Sequence, residues 1–249
     1  MNLVLFKPDE VSKPLPLTDR RAKHILDVLG KKAGDAFKAG VINTSLGDAR
    51  IEAIDNAGIL FRYTGVSTPP ALAPLTLLLG FPRPIQARRI FKDLASLGVE
   101  RIILTGTELG EKSYRESNFF RNGEYAEHLI EGAEQAGNPR LPEVVRHWSL
   151  AKAISSLAPG AVPELRLLLH PHGAAGNLGS LGSPVFRGQE ANEARIILAI
   201  GSERGWTDGE LALLGASGFS SMSLGPRILK TETACLAAVA ILLSKMGLM

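Results

Sequence analysis

A chain of 249 residues with 45% hydrophobic content is long enough for one large domain or a small one plus a medium one, and its ordinary charged fraction of 21% argues against disorder. The 28 Lys and Arg exceed the 25 Asp and Glu by a formal charge of only +3, so any surface for a polyanion must be local rather than a property of the whole chain. The opening MNLVLFKPDE lacks the basic start and long apolar core of a secretory signal, no apolar run reaches membrane-spanning length, and the single Cys235 has no partner for an internal disulfide; the expectation is a cytoplasmic protein.

From Leu3 to about Val66 the chain reads as short strands with one helix. LVLF, DAFKAGVI, ARIEAI and GILFRYT show period-two alternation, which points to a small β-barrel. Between the first two strands, TDRRAKHILDVLGKKAGD places Ala22, Ile25, Leu26 and Leu29 at helical spacing, with Thr18 as a cap. Its polar side carries Arg20, Arg21, Lys23, Lys31 and Lys32, a basic face that fits phosphates and equally fits plain solvation.

VSTPPALAP (66–74) breaks the pattern with three prolines and marks a linker between a first domain, 1–68, and a second, 71–249. Beyond it, LTLLLG, RIILTG, ELRLLLH, RIILAIG and FSSMSLG are near-continuous apolar runs alternating with helical segments. Strands buried on both faces of a parallel sheet have this composition, so the second domain is expected to be α/β. HGAAGNLGSLGSP (172–184) reads as a glycine-rich loop.

Three of these strands end in small or polar residues: LLLHPHG (167–173), LAIGSERG (198–205) and SLGPRIL (223–229). Ligands of open α/β sheets bind beyond the carboxyl ends of strands, so these loops are candidate cofactor contacts. The chain has no Gly-x-Gly-x-x-Gly after its first α/β strand, no Gly-Lys-Ser/Thr phosphate loop and no Gly-x-Ser-x-Gly elbow. His24, His128, His147, His170 and His172 do not combine with Cys235 or carboxylates at metal-ligand spacing, and no metal is expected. Thr231 or Thr233 can cap the C-terminal helix and Glu232 suits its positive end, but capping leaves Arg227 unexplained.

The order of these loops resembles the RsmE family, SPOUT-type methyltransferases that methylate N3 of a uridine in small-subunit (16S) ribosomal RNA. The most specific match is Leu224 to Ala234, LGPRILKTETA, against the family's Leu-Gly-x-Arg-Ile/Val-Leu-Arg-x-Glu-Thr-Ala, with Lys230 for the second arginine. Gly201-Ser202-Glu203-Arg204-Gly205 matches a Gly-Pro-Glu-Gly-Gly loop, with Ser202 and Arg204 as departures. Glu134-Gln135-Ala136-Gly137 with Arg140, Pro142 and Glu143, together with LGV (97–99), LHP (169–171) and His24, Val28 and Leu29, falls in family order; Gly30 and Ser96 stand where arginine and glutamate are usual.

The resemblance implies a SPOUT-type trefoil-knotted parallel-sheet domain preceded by a small PUA-like β-barrel that binds RNA. It also implies a homodimer acting on ribosomal RNA or the small subunit, away from membranes. S-adenosylmethionine would lie against Leu169, His170, Gly201, Glu203, Gly205, Leu224, Gly225, Ile228 and Leu229, with Arg227 as the catalytic residue. RNA contacts would come from Arg20, Arg21, Lys23, Lys31, Arg83 and Arg140. A SPOUT enzyme for another RNA position or transfer RNA, or a non-catalytic RNA-binding assembly protein, are the alternatives.

Overall fold

The structure is a computed structural model that describes residues 3–157, 164–182 and 195–249. Its contacts divide the chain into two units. One holds the residues up to Ala71 together with Ile130–Leu141, and the other holds Leu72–Leu129 and Pro142–Met249. The sequence alone counted Ile130–Leu141 with the second domain.

In the first unit, β1 (Val4–Phe6) is followed by a short helix α1 (Arg20–Lys23) that runs on as a π-helical turn over His24–Val28. Asp19, not Thr18, caps this helix: its carboxylate accepts from the Arg21 backbone N–H. β2 (Ala36–Val41), β3 (Ser45–Asp55) and β4 (Gly58–Ser67) complete a four-stranded sheet in the order β1-β2-β3-β4, with β1 parallel to β2 and the other pairs antiparallel. Leu15 adds an antiparallel bridge to Ile59. Alternate residues of the strands turn Phe6, Phe37, Ala49, Ile51, Ile59 and Phe61 into one core that also takes Ala22 and Ile25, with the Phe6 and Phe61 rings stacked at 4.7 Å.

Residues 130–141 join this unit through specific bonds rather than apolar contact alone. The buried Glu134 carboxylate accepts from the Leu5 N–H (3.3 Å) and from Arg20 (3.0 Å), and its carbonyl accepts from the Leu3 N–H (3.2 Å). Asn43, in the left-handed region at φ 56°, donates its N–H to the Pro139 carbonyl and accepts the Leu141 N–H on its side chain. These partners are distant in sequence, which is why periodicity assigned the segment elsewhere.

Among the described residues, the second unit holds a parallel sheet of seven strands. β5 (Ala73–Gly80), β6 (Val99–Thr105), β7 (Glu143–His147), β8 (Glu164–Leu169), β9 (Gly176–Asn177), β10 (Arg195–Ile200) and β11 (Ser220–Ser223) lie in the order β7-β6-β5-β10-β8-β11-β9. The helices are α2 (Pro84–Ser96), the short α3 (Lys112–Arg115) and α4 (Asn118–Arg121), α5 (Tyr125–Ala136), within which the contact division falls, α6 (Leu150–Ser155), α7 (Asp208–Ala216) and α8 (Thr231–Lys245). Leu78, Ile103, Leu168, Ile197 and Ala199 pack with Leu150 and Ala153 of α6 and Leu214 of α7. Their neighbours Leu77, Leu79, Ile102, Leu104 and Leu198 turn to the opposite face and are also fully buried, where α2 and α8 pack on β6 and β10 and on each other. The expectation of strands covered on both faces therefore holds.

One strand departs from simple winding. β11 sits between β8 and β9, pairing Ser220 with Leu167 and Met222 with both Leu169 and Gly176. The link from β8 to β9 thus spans a strand that arrives some 50 residues later, a strand order consistent with the knotted fold class, whose threading general topology rules disfavour. This corrects the loop reading of 172–184. Gly176–Asn177 pair as a strand, and Leu178–Ser180 form a 3₁₀ turn that buries Leu178; positions 183 and 184 lie outside the described residues.

Burial raises the pKa of Glu134 despite the attraction of Arg20. A group with a folded pKa above its unfolded value holds its proton more tightly when folded, so its contribution to stability is present at low pH and is lost as pH rises through the folded pKa. At neutral pH an uncharged isostere therefore carries no penalty for losing the charge. Glu134→Gln is expected to stay within about 1 kcal/mol of wild type at pH 7, whereas Glu134→Ala, which strands the Leu5 N–H, should cost about 2 kcal/mol in urea unfolding.

Candidate active site

The carboxyl ends of β8, β10 and β11 open onto a cavity of about 360 Å³, within the size range of small-molecule sites. Leu169, His170, Pro171 and His172 form one wall, Ile200 to Trp206 a second, and Met222, Leu224, Gly225 and Arg227 to Leu229 a third, with Thr231 and Ala234 of α8 behind them. All nine residues expected to hold the cofactor, and Arg227, are in this lining. They meet because parallel strands deliver their following loops to the same edge of the sheet.

The loop after β10 is a tight turn. Gly205 donates its N–H to the Ser202 carbonyl (2.9 Å) and takes φ +74°, and a side chain on Gly201 would meet the Gly205 backbone at 2.9 Å. The left-handed angle falls on Gly205, so Arg204 adopts an ordinary negative φ and replaces the family's glycine without backbone strain. Its guanidinium pairs with Glu111 at 3.0 Å, with both side chains well exposed. Ser202, buried where the family has proline, accepts a hydrogen bond from the Thr107 hydroxyl (3.2 Å). The Glu203 carboxylate accepts the Arg83 N–H (2.7 Å) at the start of α2, supplying that helix with the cap its own sequence lacks.

The loop after β11 turns at Gly225, whose φ of +112° suits glycine alone. Arg227 follows, exposed and without a hydrogen-bond or ion-pair partner among the described residues. The expectation that Thr231 or Thr233 caps α8 is corrected: Lys230 is the N-cap and offers no side-chain bond, while Thr231 is already inside the helix, buried against the cavity. Glu232 lies in the first turn of α8. Across the cavity, the His170 N–H bonds the Met222 carbonyl (3.0 Å), and burial, then the neighbouring His172, lowers the His170 pKa. Among the described residues no group of three or more His, Cys, Asp or Glu could hold a metal ion. Cys235 is fully buried in α8, its thiol pushed up chiefly by desolvation.

Sequence reasoning missed Met222, Trp206 and Thr231 as lining residues. Trp206 follows the glycine loop directly, and Thr231 belongs to the quoted C-terminal motif, where it reads as a cap. The basic candidates divide. Arg83 is exposed at the head of α2. Lys23 is exposed and Lys31 half-buried. Arg20 is exposed but pairs with Glu134. Arg140 donates its Nε–H to the Pro69 carbonyl (3.1 Å). Arg21 is a correction: its guanidinium bonds Glu10, Asp19 and the Leu5 carbonyl and lies 5.1 Å over the Phe6 ring, so it is spent on the fold and has no donor face for a phosphate.

Residues 69–243 match the model of an RNA methyltransferase domain, a span that contains the whole cavity. Along nearly its full length the chain is 40% identical to ribosomal RNA small subunit methyltransferase E of Treponema pallidum, covering 98% of this chain and 91% of that one. The chain belongs to the ribosomal RNA small subunit methyltransferase E family. A second member, methyltransferase E 1 of Borreliella burgdorferi, is 34% identical with 99% of each chain covered. The methyltransferase E of Neisseria gonorrhoeae, solved bound to S-adenosyl methionine, shares the fold with a TM-score of 0.73 at 21% identity over 98% of this chain and 97% of that one. The family relationship spans both units, so the sheet unit around Arg21 is as much a part of the methyltransferase E architecture as the cavity.

Arg21→Ala is expected to cost about 3 kcal/mol in chemical unfolding, because it leaves two partly buried carboxylates without their counter-charge. Lys23→Ala, on the exposed side of the same helix, should stay within about 0.5 kcal/mol.

Proposed function

We propose that this chain transfers a methyl group from S-adenosylmethionine to N3 of one uridine in 16S ribosomal RNA, acting in the cytoplasm as a homodimer. The observation that carries this reading is Arg227, a guanidinium with no partner among the described residues, on the lining of a largely apolar cavity at the carboxyl ends of three parallel strands. The lining suits the cofactor on its own chemistry. Leu169, Ile200, Leu224 and Leu229 offer apolar contact to an adenine ring, and the turns at Gly201–Gly205 and Leu224–Gly225 bring backbone donors and acceptors close. The indole N–H of Trp206 is buried without a partner among the described residues, a donor that a polar ligand group would satisfy.

When bound, S-adenosylmethionine supplies a methyl group already activated by its sulfonium. The protein's task is then alignment and charge placement. Uridine N3 must first give up its proton to bulk water before it can take the methyl group, and in that anion the negative charge is shared with O2 and O4. Arg227, permanently protonated and planar in its donors, stabilises that charge. Glu232, in the first turn of α8, complements the helix dipole and is assigned a structural role. Arg83, Lys23 and Lys31 are assigned to RNA phosphates, giving a salt-dependent affinity, while selection of the uridine rests on RNA shape and on unstacking the base.

The deciding experiment is methyl transfer from labelled S-adenosylmethionine to small subunits that lack the modification, with the methylated nucleotide mapped. Label on N3 of one uridine is expected; label only on transfer RNA or at another atom would refute the specificity. Arg227→Ala should lower the single-turnover rate by roughly 10²- to 10³-fold while cofactor affinity changes little.

A second expectation concerns pH. The depressed pKa of His170 keeps it neutral at pH 7, and its protonation would set a positive charge in the wall that faces a cationic cofactor. Cofactor affinity, followed by calorimetry between about pH 5 and 8, should hold at the upper end and fall as pH drops below the ordinary histidine range. Asparagine in place of His170 should flatten that fall.

A further inference from the structure

A second hollow of about 330 Å³ opens on the same edge of the parallel sheet, beyond β6 and β7. Its lining includes Thr107, Glu108, Arg115, Trp148, Ser149 and Glu210. Trp148 keeps 59% of its surface exposed. A single exposed apolar residue needs no explanation, but this one is held in place and paired. The Arg115 guanidinium lies 5.5 Å from the indole centroid, and the Phe81 ring is nearly parallel to it at 6.3 Å. The backbone under it is fixed by close approach, since a side chain on Gly106 would meet the Trp148 carbonyl at 2.4 Å. One Arg115 guanidinium nitrogen reaches the Trp148 carbonyl at 3.5 Å, and the buried Nε makes no hydrogen bond among the described residues.

The two hollows share one stretch of chain. Its loop, Gly201 to Trp206, walls the cavity that holds Arg227, and the first turn of α7 that follows it, at Gly209 and Glu210, walls the second. Thr107 of the second hollow donates to Ser202 of the first, and Glu108 accepts from Thr207 (2.9 Å). The carboxylates of the second hollow are taken: Glu210 accepts the N–H groups of Glu108 and Thr207. What is left open is an aromatic ring flanked by a planar cation, the pairing on which an unstacked nucleobase lies.

Resting on the RNA-methylating reading above, we infer that Trp148 and Arg115 form a stacking platform for a base of the single-stranded substrate RNA outside the methyl-acceptor nucleotide. The acceptor base enters the Arg227 cavity, and another base of the same strand rests on the indole. The platform adds affinity without reading base identity, because every base offers a π-face.

The test measures binding apart from methylation. A labelled single-stranded RNA of about ten nucleotides is titrated against the full-length protein by fluorescence anisotropy, with indole emission followed in parallel. Trp148→Ala is expected to weaken binding roughly tenfold and to remove the Trp148 share of the saturable quenching expected in wild type, while Trp148→Phe, which keeps a π-face, stays within about threefold in affinity. In methylation assays Trp148→Ala should raise the KM for RNA and leave kcat and cofactor affinity unchanged. An affinity for RNA equal to that of wild type in Trp148→Ala overturns the proposal. Should wild type bind RNA with Trp148-dependent affinity yet methylate no ribosomal RNA, the platform stands and the proposed reaction falls.

Discussion

The insertion of β11 between β8 and β9 is the constraint on which the cavity depends. Three ladder pairs hold β11 to β8; on one side the Met222 carbonyl receives the His170 N–H, and on the other the Ser221 carbonyl receives the Ala175 N–H. Without that register the loop at Leu224–Leu229 would have no fixed position against Leu169–His172, and Arg227 would be one more exposed arginine. The threading is costly to reach, since chain must cross chain before the strand can pair. Once made, it supplies backbone on three sides of one small volume, which a sheet wound in simple order does not.

Around that constraint the site is stiffened from beneath rather than from within. Glu203 caps α2 through the Arg83 N–H, Ser202 receives the Thr107 hydroxyl, and Thr207 with Glu210 forms a reciprocal capping box that starts α7 and also holds the Glu108 N–H. Each bond ties the glycine loop after β10 to a neighbouring strand end. The loop can therefore accept serine and arginine at two family positions: Ser202 gains a hydrogen bond, and Arg204 stays in ordinary backbone space because Gly205 takes the left-handed angle.

The chain uses arginine in two opposed ways. Arg21 is held by two carboxylates, a carbonyl and an aromatic ring, and the lowered pKa of Glu10, owed first to its hydrogen bond with Arg21, is the reciprocal sign of that bond. Its positive charge is neutralised within the first unit. Arg227 meets no such partner among the described residues. A guanidinium with no partner among the described residues beside an apolar hollow keeps its donors available, whereas those of Arg21 are all engaged.

The sequence by itself determined the parallel α/β sheet, since only strands covered on both faces tolerate runs such as LTLLLG and RIILAI, and it pointed to the three loops that the structure gathers around one cavity. It misassigned what depends on partners far along the chain. Residues 130–141 belong with the first sheet because Glu134 bonds Leu5 across 129 positions, and Arg21 is structural because Glu10 and Asp19 fold onto it. Thr231 looked like a cap and became a wall of the cavity, and a two-residue strand at Gly176–Asn177 was too short to leave any periodicity. Local pattern reports which face of a strand or helix is apolar. Which charge finds a counter-charge, and which loop closes against which, is decided only when tertiary structure brings distant residues to hydrogen-bonding distance.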